Sequence, residues 1–171
     1  MTIPRELKLV GGKIFMTPIK ELENLRTSEK NYKNISIDKA KNFAGVCGEV
    51  GELCLTCGAK EKFSVKIRDA LKIFYDPETS TVKIIREGLG DEKLAGEREA
   101  KISSCEELNF RIYIDKSSVE IFVNEGEAVF SARIYPQENS QEITFIPEEN
   151  NFAIKEINFY NLEQAVPNPR M

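Results

Sequence analysis

The feature that most constrains the fold is a run of three strand-like segments between residues 110 and 136. Side chains alternate between the two faces of a strand, so a two-residue turn at Lys116 and Ser117 sets two apolar rows opposite each other. The pairs predicted on this basis are Ile114 with Val119, Ile112 with Ile121, and Phe110 with Val123. One face of the resulting hairpin is therefore entirely apolar.

A second turn, at Glu125 and Gly126, continues the same pattern into a third strand. Glycine accepts the positive φ that tight hairpin turns require. The new apolar pairs are Val123 with Ala128, Ile121 with Phe130, and Val119 with Ala132. A slip of one residue in either turn would place Glu120 or Ser131 in the apolar layer, so the pattern and the turn chemistry both predict an antiparallel meander.

The opposite face of the meander is half polar, and we expect it to be the outer side of a sheet or the side that another domain covers. It carries Arg111, Tyr113, Glu120, Phe122, Val129, Ser131 and Arg133. Together with Tyr135, the two aromatic residues Tyr113 and Phe122 could form a platform for a sugar ring. We favour the other interpretation, in which these aromatic side chains contact a second sheet or another domain.

Composition excludes several classes of function. The 171 residues are 41% hydrophobic, which is enough to bury a sizeable single core. The formal net charge of −4 comes without a long basic cluster, so neither nucleic acid nor a membrane is an expected partner. Histidine is absent, which removes imidazole bases, nucleophiles paired with histidine and the common zinc hydrolase sites. Chemistry based on carboxylates remains open.

Short segments rich in strand-forming residues recur along the chain, and long helical periodicity is absent. The sequence predicts a β-hairpin around Gly11 and Gly12, followed after Thr17 and Pro18 by a short helix or helical turn. Residues 27–34 and the mixed-charge residues 88–99 are predicted to be solvated loops. With about eleven or twelve strands between turn signals, the chain is predicted to be all-β, with two antiparallel sheets packed as a sandwich.

The four cysteines leave open a metal site, a disulfide or reduced thiols. They are Cys47, Cys54, Cys57 and Cys105. Residues three apart in a strand point to opposite faces, so Cys54 and Cys57 would chelate one ion only across a bend. We favour buried or half-exposed reduced thiols, and we predict neither a metal nor another cofactor. Reduced thiols are typical of the cytoplasm, and the first residues do not resemble a signal peptide. We therefore expect a cytoplasmic protein.

Asp115 and Glu120 are the carboxylates of the meander that could act as a pair. In the predicted register they are offset by two residues along the sheet. Asp115 is better explained as a turn-forming side chain, and Glu120 as a polar-face residue near Arg111 or Arg133. We therefore expect structural roles for both.

The meander resembles the C-terminal β-sandwich of glycoside hydrolase family 32, the family of the β-fructofuranosidases. The resemblance lies in Ile114, Asp115, residues 118–124, Gly126, Phe130 and the Arg-Ile-Tyr-Pro sequence at 133–136. Residues 1–7 and 18–26 resemble the segment in which the family's catalytic five-bladed β-propeller passes into its sandwich. The Tyr-Asp-Pro-Glu-Thr sequence at 75–79 resembles a hairpin turn in the middle of that sandwich. The fold implied is a jelly roll of the concanavalin type.

The resemblance implies that residues 1–26 form a linker, containing the hairpin and helical turn, that joins the sandwich of residues 27–171 to a propeller. Retaining glycosidases need two carboxylates about 5 Å apart. The family carries them on the propeller, in Asn-Asp-Pro-Asn, Arg-Asp-Pro and Glu-Cys stretches. This sequence contains none of these stretches. No catalytic residue is therefore assigned, and we expect the isolated chain to be inactive.

The function implied is that of a non-catalytic sandwich that stabilises the propeller of a β-fructosidase acting on sucrose, sucrose 6-phosphate or a fructan. The alternative is a lectin-like module that binds fructan or another glycan through Tyr113, Phe122 and Tyr135. The expected partners are the propeller and, because an apolar surface without its partner is sticky, a second copy of the isolated chain.

Overall fold

The structure, a computed structural model, describes residues 2–87 and 95–163, which are almost entirely antiparallel strands. These residues contain fourteen strands and one short 3-10 helix, Lys20–Leu25. The strands are β1 (Arg5–Val10), β2 (Lys13–Pro18), β3 (Arg26–Ile37), β4 (Lys41–Cys47), β5 (Gly51–Gly58), β6 (Phe63–Ile67), β7 (Leu71–Asp76), β8 (Thr81–Arg86), β9 (Gly96–Lys101), β10 (Glu107–Asp115), β11 (Ser118–Val123), β12 (Ala128–Arg133), β13 (Glu142–Pro147) and β14 (Phe152–Leu162). None of the described helical segments has the length and apolar character needed to span a membrane.

Twelve of the strands form two six-stranded antiparallel sheets. The strand order is β12-β11-β10-β5-β14-β3 in the first sheet and β4-β13-β6-β7-β8-β9 in the second. A single cluster of buried apolar side chains lies between them and draws residues from both sheets. The prediction of an all-β, two-sheet sandwich is confirmed.

Aromatic side chains join the two sheets across the core. Phe63 of β6 stacks on Phe152 of β14, with 4.2 Å between ring centroids and nearly parallel planes. The same ring meets Phe110 of β10 edge-on at 6.0 Å. Because offset-stacked and edge-on pairs add to the free energy of simple burial, this cluster helps to hold the sheets in one alignment.

The meander has the predicted register. In β10 and β11, Ile114 pairs with Val119 and Ile112 with Ile121, and the turn lies at Lys116 and Ser117. The apolar pairing of β11 with β12 also follows the prediction. The second turn has positive φ at Asn124, Glu125 and Gly126, so left-handed backbone extends over three residues there.

The N-terminal hairpin and the short helix are present where the sequence predicts them. β1 and β2 pair with each other around Gly11 and Gly12, both of which have positive φ. Pro18 is the last residue of β2, so the helix begins one residue later. Its N-cap is Ile19, which makes no capping hydrogen bond through its side chain. The boundary between a linker of residues 1–26 and a sandwich of residues 27–171 stays a prediction.

The sequence underestimated the number of strands. Residues 27–34, predicted to be a loop, belong to β3, and residues 96–99 of the predicted mixed-charge loop belong to β9. β4 was also missed, while residues 88–94 lie outside the described part of the chain. β3 and β9 are largely exposed and polar, whereas β4 buries Phe43 and Val46, which lie three residues apart and so break the alternation of a strand. All three are edge strands. Edge strands carry charge that discourages pairing with other chains, so they lack the apolar alternation that reveals a strand.

Candidate functional site

The β1–β2 hairpin lies against the meander and forms a candidate site for contact with another domain. Its backbone amide at Met16 donates a hydrogen bond of 3.1 Å to the carbonyl of Gly126. Gly126 has a φ of +83°, and a Cβ there would stand 1.9 Å from the Met16 carbonyl oxygen. Glycine is therefore required at this position both by the backbone conformation of the turn and by the close approach of β2.

Arg5 provides the main side-chain attachment of the hairpin. Its Nη2 donates to Glu120 Oε2 at 2.6 Å and to Ser131 Oγ at 2.7 Å, and its guanidinium lies 5.3 Å from the centre of the Phe122 ring. The amide of Ile3 donates to the other Glu120 oxygen at 2.7 Å. Glu120 is buried, so this carboxylate fixes the N-terminal segment to the sheet.

These contacts decide the roles of the two meander carboxylates. Glu120 is a structural anchor, but its partner is Arg5 and not Arg111 or Arg133. Asp115 Oδ1 accepts a 2.7 Å hydrogen bond from the backbone amide of Lys116, which is the turn-forming role predicted for it.

One face of the hairpin is apolar and uncovered. The cross-strand pairs Leu7–Met16 and Leu9–Ile14 place their side chains on one side of the ribbon. Leu7 is 70% exposed, Leu9 72% and Ile14 59%. We call Leu7, Leu9 and Ile14 the apolar hairpin face. Large exposed apolar side chains that cluster in this way are typical of a protein-contact surface.

A buried ionic cluster lies on the outer face of the same sheet, with Glu52 at its centre. Glu52 of β5 is fully buried and accepts two hydrogen bonds from Arg26, from Nε at 2.8 Å and from Nη2 at 2.9 Å. Arg111 of β10 donates a further hydrogen bond through Nε and also reaches Glu23 of the 3-10 helix, at 3.1 Å. The Arg26 guanidinium stacks 4.1 Å from the centre of the Tyr160 ring. The cluster thus joins the helix and three strands of the first sheet.

The cluster changes the ionisation of its members. Burial alone would raise the pKa of Glu52, but the hydrogen bonds from Arg26 and Arg111 outweigh it and lower that pKa below its ordinary value. Burial, with the negative charge of Glu52, raises the pKa of the Cys54 thiol to about 12. The same two causes raise the pKa of Tyr113. Glu52 is therefore a carboxylate locked between two arginines, and Cys54 is a poor nucleophile.

A largely apolar groove of about 530 Å³ lies beside the hairpin attachment. Its lining comes from the N-terminal segment, the 3-10 helix, the β10–β11 turn and the end of β14, and includes Ile3, Pro4, Leu22, Leu25, Val50 and Leu162. The groove and the apolar hairpin face both involve the residues that precede β3. The N-terminal part of the chain therefore carries two apolar surfaces open to a further domain.

The structure brings together two of the three residues of the alternative sugar platform, but it buries both of them. Tyr113 and Phe122 are buried, and their rings meet edge-on at 6.2 Å. Tyr135 is half-buried, with the Arg133 guanidinium 5.8 Å from its ring centre. A sugar stacks on an exposed aromatic face, so the burial of two of the rings speaks against the platform. Sugar binding through these residues stays a prediction.

The cysteines lie apart in the way that strand geometry predicts. Cys57 is buried in the core, whereas Cys54 lies on the outer face of the same strand, half-exposed. Cys47 and Cys105 are exposed, and all four are free thiols in the structure. Among the described residues no group of three or more cysteine, aspartate and glutamate side chains is placed to hold a metal ion.

The Glu52 cluster was not predicted from the sequence. Its members come from β3, β5 and β10, together with Glu23 of the helix, and strands β14 and β5 separate β3 from β10 in the sheet order. The available signal was weak: Glu52 occupies a polar position in the alternating pattern of β5, as Cys54 and Thr56 do. Nothing in that alternation distinguishes a solvated glutamate from a buried one.

The two-sheet sandwich with an N-terminal hairpin attached to its outer face defines the chain as a β-sandwich domain. Solved structures with this fold include exo-inulinase from Aspergillus awamori, with a TM-score of 0.79 and 20% identity over 95% of this chain and 36% of that one. Sucrose-6-phosphate hydrolase from Lactobacillus gasseri has a TM-score of 0.77 and 20% identity over 95% of this chain and 33% of that one. At this level of identity the likeness establishes the fold.

Sequence comparison identifies the family. Residues 21–161 match the family described as "Glycosyl hydrolases family 32 C terminal", and the chain belongs to it. Levanase from Bacillus subtilis (strain 168) is 28% identical over 96% of this chain and 27% of its own length. Sucrose-6-phosphate hydrolase from Escherichia coli is 31% identical over 84% of this chain and 31% of its own length. The chain thus spans between a quarter and a third of the length of these curated relatives, and the resemblance seen in the sequence is confirmed.

Proposed function

We infer that this chain is the non-catalytic sandwich of a β-fructosidase and that it stabilises the catalytic propeller of that enzyme by packing against it. The observation that carries this inference is the apolar hairpin face, Leu7, Leu9 and Ile14, which the sandwich leaves uncovered. The hairpin belongs to the segment whose sequence resembles the junction with a propeller. A surface that is apolar, fixed in place and part of such a junction-like segment has the chemistry of an interdomain contact.

The mechanics of the hairpin support this role. A two-stranded ribbon on its own is at best marginally stable in water. Here one end is held to the meander by Arg5 and by the Met16 amide, and Lys13, next to the Gly11 and Gly12 turn, reaches Ser103 Oγ at 3.1 Å and Glu127 Oε1 at 3.4 Å. Packing of a propeller on the apolar hairpin face would bury the side chains that now face water. Such burial contributes about 25 cal/mol per Å² of apolar surface removed from water.

The names of the relatives support a proposal for the substrate of the whole enzyme. Two of these relatives are named levanase and sucrose-6-phosphate hydrolase. We therefore propose that the enzyme containing this sandwich hydrolyses sucrose, sucrose 6-phosphate or a fructan. The chain itself contributes no catalytic carboxylate in this proposal, because Glu52 and Glu120 are both bound by arginines and held in structural contacts.

The test is a double substitution of the apolar hairpin face, Leu7→Ser with Leu9→Ser, in the full-length enzyme. We expect faster thermal inactivation of sucrose hydrolysis with an unchanged KM, because the propeller loses support while its active site keeps its shape. The matched control is Lys8→Ser, which changes an exposed residue of the same strand on the opposite face of the ribbon. If the double variant inactivates no faster than the Lys8→Ser enzyme, the stabilising role is refuted.

The same surface predicts the behaviour of the isolated chain. With no propeller to cover it, the apolar hairpin face should bring two copies of the chain together. Sedimentation equilibrium should show a dimer that dissociates in the Leu7→Ser, Leu9→Ser variant and persists in Lys8→Ser. A parent chain that remains monomeric at all concentrations would refute self-association through this face.

A further inference from the structure

A small cleft at the side of the sandwich is lined by three arginines. Its volume is about 190 Å³, and it lies between strands β8 and β9 of the second sheet and strand β12 of the first. The lining residues are Ile84, Arg86, Ala95, Gly96, Arg98, Ser131, Ala132 and Arg133. We call it the arginine cleft. It lies at edge strands of both sheets, because β9 and β12 are each the last strand of their sheet.

The register of β8 and β9 explains why arginines line this cleft. Val82 pairs with Ala100 and Ile84 with Arg98, so that Arg98 stands on the core-facing side of the sheet opposite a buried isoleucine. Arg86 lies two residues beyond Ile84 on the same side, paired with Gly96. The core-facing row of side chains is therefore apolar at Val82 and becomes basic towards the end of β8. From the sequence, Arg98 was predicted to lie in a solvated loop of mixed charge.

The charge of the cleft is uncompensated by the residues that the structure describes. Of the seven described arginines, four form ion pairs with carboxylates, and the other three are Arg86, Arg98 and Arg133. Among the residues that the structure describes, none of those lining the cleft carries a carboxylate. Arg98 Nη1 donates to the backbone carbonyl of Glu97 at 2.7 Å, and Arg86 Nη2 to that of Ala95 at 3.5 Å. The Glu97 and Glu99 carboxylates instead pair with Lys83 on the opposite face of the strands.

One donor in the cleft is buried without an acceptor among the described residues. Arg86 Nε is shielded from solvent and makes no hydrogen bond with any residue of ranges 2–87 and 95–163. A buried donor without a partner costs free energy, and neighbouring guanidinium cations repel one another. An oxyanion would relieve both penalties, because its oxygens accept hydrogen bonds from guanidinium groups in the planar, two-bond geometry that arginine offers.

We propose that the arginine cleft binds a phosphate group, either as inorganic phosphate or as the phosphate monoester of a small sugar. Arg86, Arg98 and Arg133 would contact the phosphate oxygens, with the Arg86 Nε–H as the buried donor. The Ser131 hydroxyl, which also lines the cleft, is an additional hydrogen-bonding group at its rim. This proposal concerns residues remote in sequence from the apolar hairpin face, and it stands or falls independently of the propeller-stabilising role.

The first experiment is calorimetric titration of the isolated chain with inorganic phosphate, fructose 6-phosphate and fructose at constant ionic strength. We expect saturable binding of at least one phosphate compound and none of fructose. Tighter binding of fructose 6-phosphate would identify the monoester as the ligand, and equal or tighter binding of inorganic phosphate would identify the free ion. Either of two results would overturn the proposal. Fructose could bind as tightly as fructose 6-phosphate, or neither phosphate compound could give a saturable heat.

Substitutions of the lining arginines test whether phosphate binds in the arginine cleft. Arg86→Gln and Arg98→Gln should each weaken phosphate binding about tenfold or more, the range expected for the loss of a hydrogen bond between charged groups. Lys39→Gln removes the same charge from an exposed position between β3 and β4, and it should leave binding unchanged. The proposal would also be overturned if the arginine variants bound phosphate as tightly as the Lys39→Gln chain does.

A second variant keeps all three arginines and protects the test against misfolding. Gly96 has an ordinary φ, and a Cβ there would lie 3.7 Å from Arg86 Nη2, which is normal contact. Gly96→Asp should therefore fold and place a carboxylate in the arginine cleft, where it competes with phosphate. We expect this variant to lose phosphate binding, and Gly96→Ala to retain it. Retention of full affinity in a folded Gly96→Asp chain would contradict the site.

Discussion

Glu52→Gln tests the buried ionic cluster more directly than any other single change. Glutamine has nearly the same shape, so it removes the charge between Arg26 and Arg111 without opening a cavity. Leaving a buried ion pair without one partner costs about 3–5 kcal/mol, and hydrogen bonds to charged groups contribute about 1.5–3 kcal/mol each. Glu52 is fully buried, but the arginine side chains are 23% and 25% exposed, so water compensates part of the loss. We therefore expect a decrease of about 3 kcal/mol in the free energy of unfolding.

Urea unfolding followed by circular dichroism measures this change. For a slope of about 2 kcal/mol per M, the midpoint should fall by about 1.5 M, and the melting temperature should fall by about 6–12 °C. The matched control is Glu29→Gln, an exposed residue of the edge strand β3 whose recorded side-chain contact is a 3.3 Å hydrogen bond from Tyr160. Equal midpoints for the two variants would show that the cluster does not stabilise the fold, and the reasoning would be refuted.

The effect of Glu52→Gln should depend on pH. The arginines lower the pKa of Glu52 in the folded chain below its ordinary value of 4.5. A carboxyl with a lowered folded-state pKa stabilises the fold above its unfolded pKa and loses that contribution as the pH falls through the folded-state pKa. The difference between parent and variant should be full at pH 7 and decrease below about pH 4.5. A difference that stays constant down to pH 2 would contradict an electrostatic origin.

Three further changes test the hairpin attachment, the aromatic side chains and the thiols. Gly126→Ala should release the hairpin, because its Cβ would overlap the Met16 carbonyl, and limited proteolysis should then cut the hairpin faster than in the parent. Phe122→Ala should lower the free energy of unfolding by about 3–5 kcal/mol in urea titrations, the cost of truncating a buried phenylalanine, whereas an exposed platform residue would cost little. A thiol reagent should modify the exposed Cys47 and Cys105 quickly. Cys54, half-exposed with its pKa raised to about 12, should react more slowly, and the buried Cys57 only on unfolding; four equal rates would contradict the burial pattern.

The parts of the fold that could be predicted are those in which local pattern and tertiary environment agree. The β10–β11–β12 meander alternates strictly and has compatible turns, so its register followed from the positions of Lys116 and Gly126. The edge strands β3 and β9 could not be recognised because they carry mostly polar side chains, and the edge strand β4 because its buried residues, Phe43 and Val46, do not alternate. Their pairing depends on backbone hydrogen bonds to a neighbouring strand, which leave no alternating signal in the sequence.

The candidate sites divide in the same way. The half-polar outer face of the meander could be recognised from the sequence, and it was expected to face solvent or another domain. The segment that covers it could not be identified. In the structure it is the hairpin of the same chain, which brings Arg5 to Glu120 across 115 residues of sequence. The aromatic residues Tyr113 and Phe122 lie beneath this contact, which is why their accessibility was unreadable from the strand pattern.

The sequence by itself determined the all-β class, the meander register, the absence of the family's catalytic stretches and the membership of family 32. These properties depend on the period of side-chain alternation, on turn chemistry and on local motifs, all of which are short-range. Only the tertiary structure decided that Glu52 is buried between Arg26 and Arg111, that the apolar hairpin face is left open, and that three arginines share one cleft. Burial and charge pairing are properties of neighbours in space, and those neighbours come from strands that lie far apart along the chain.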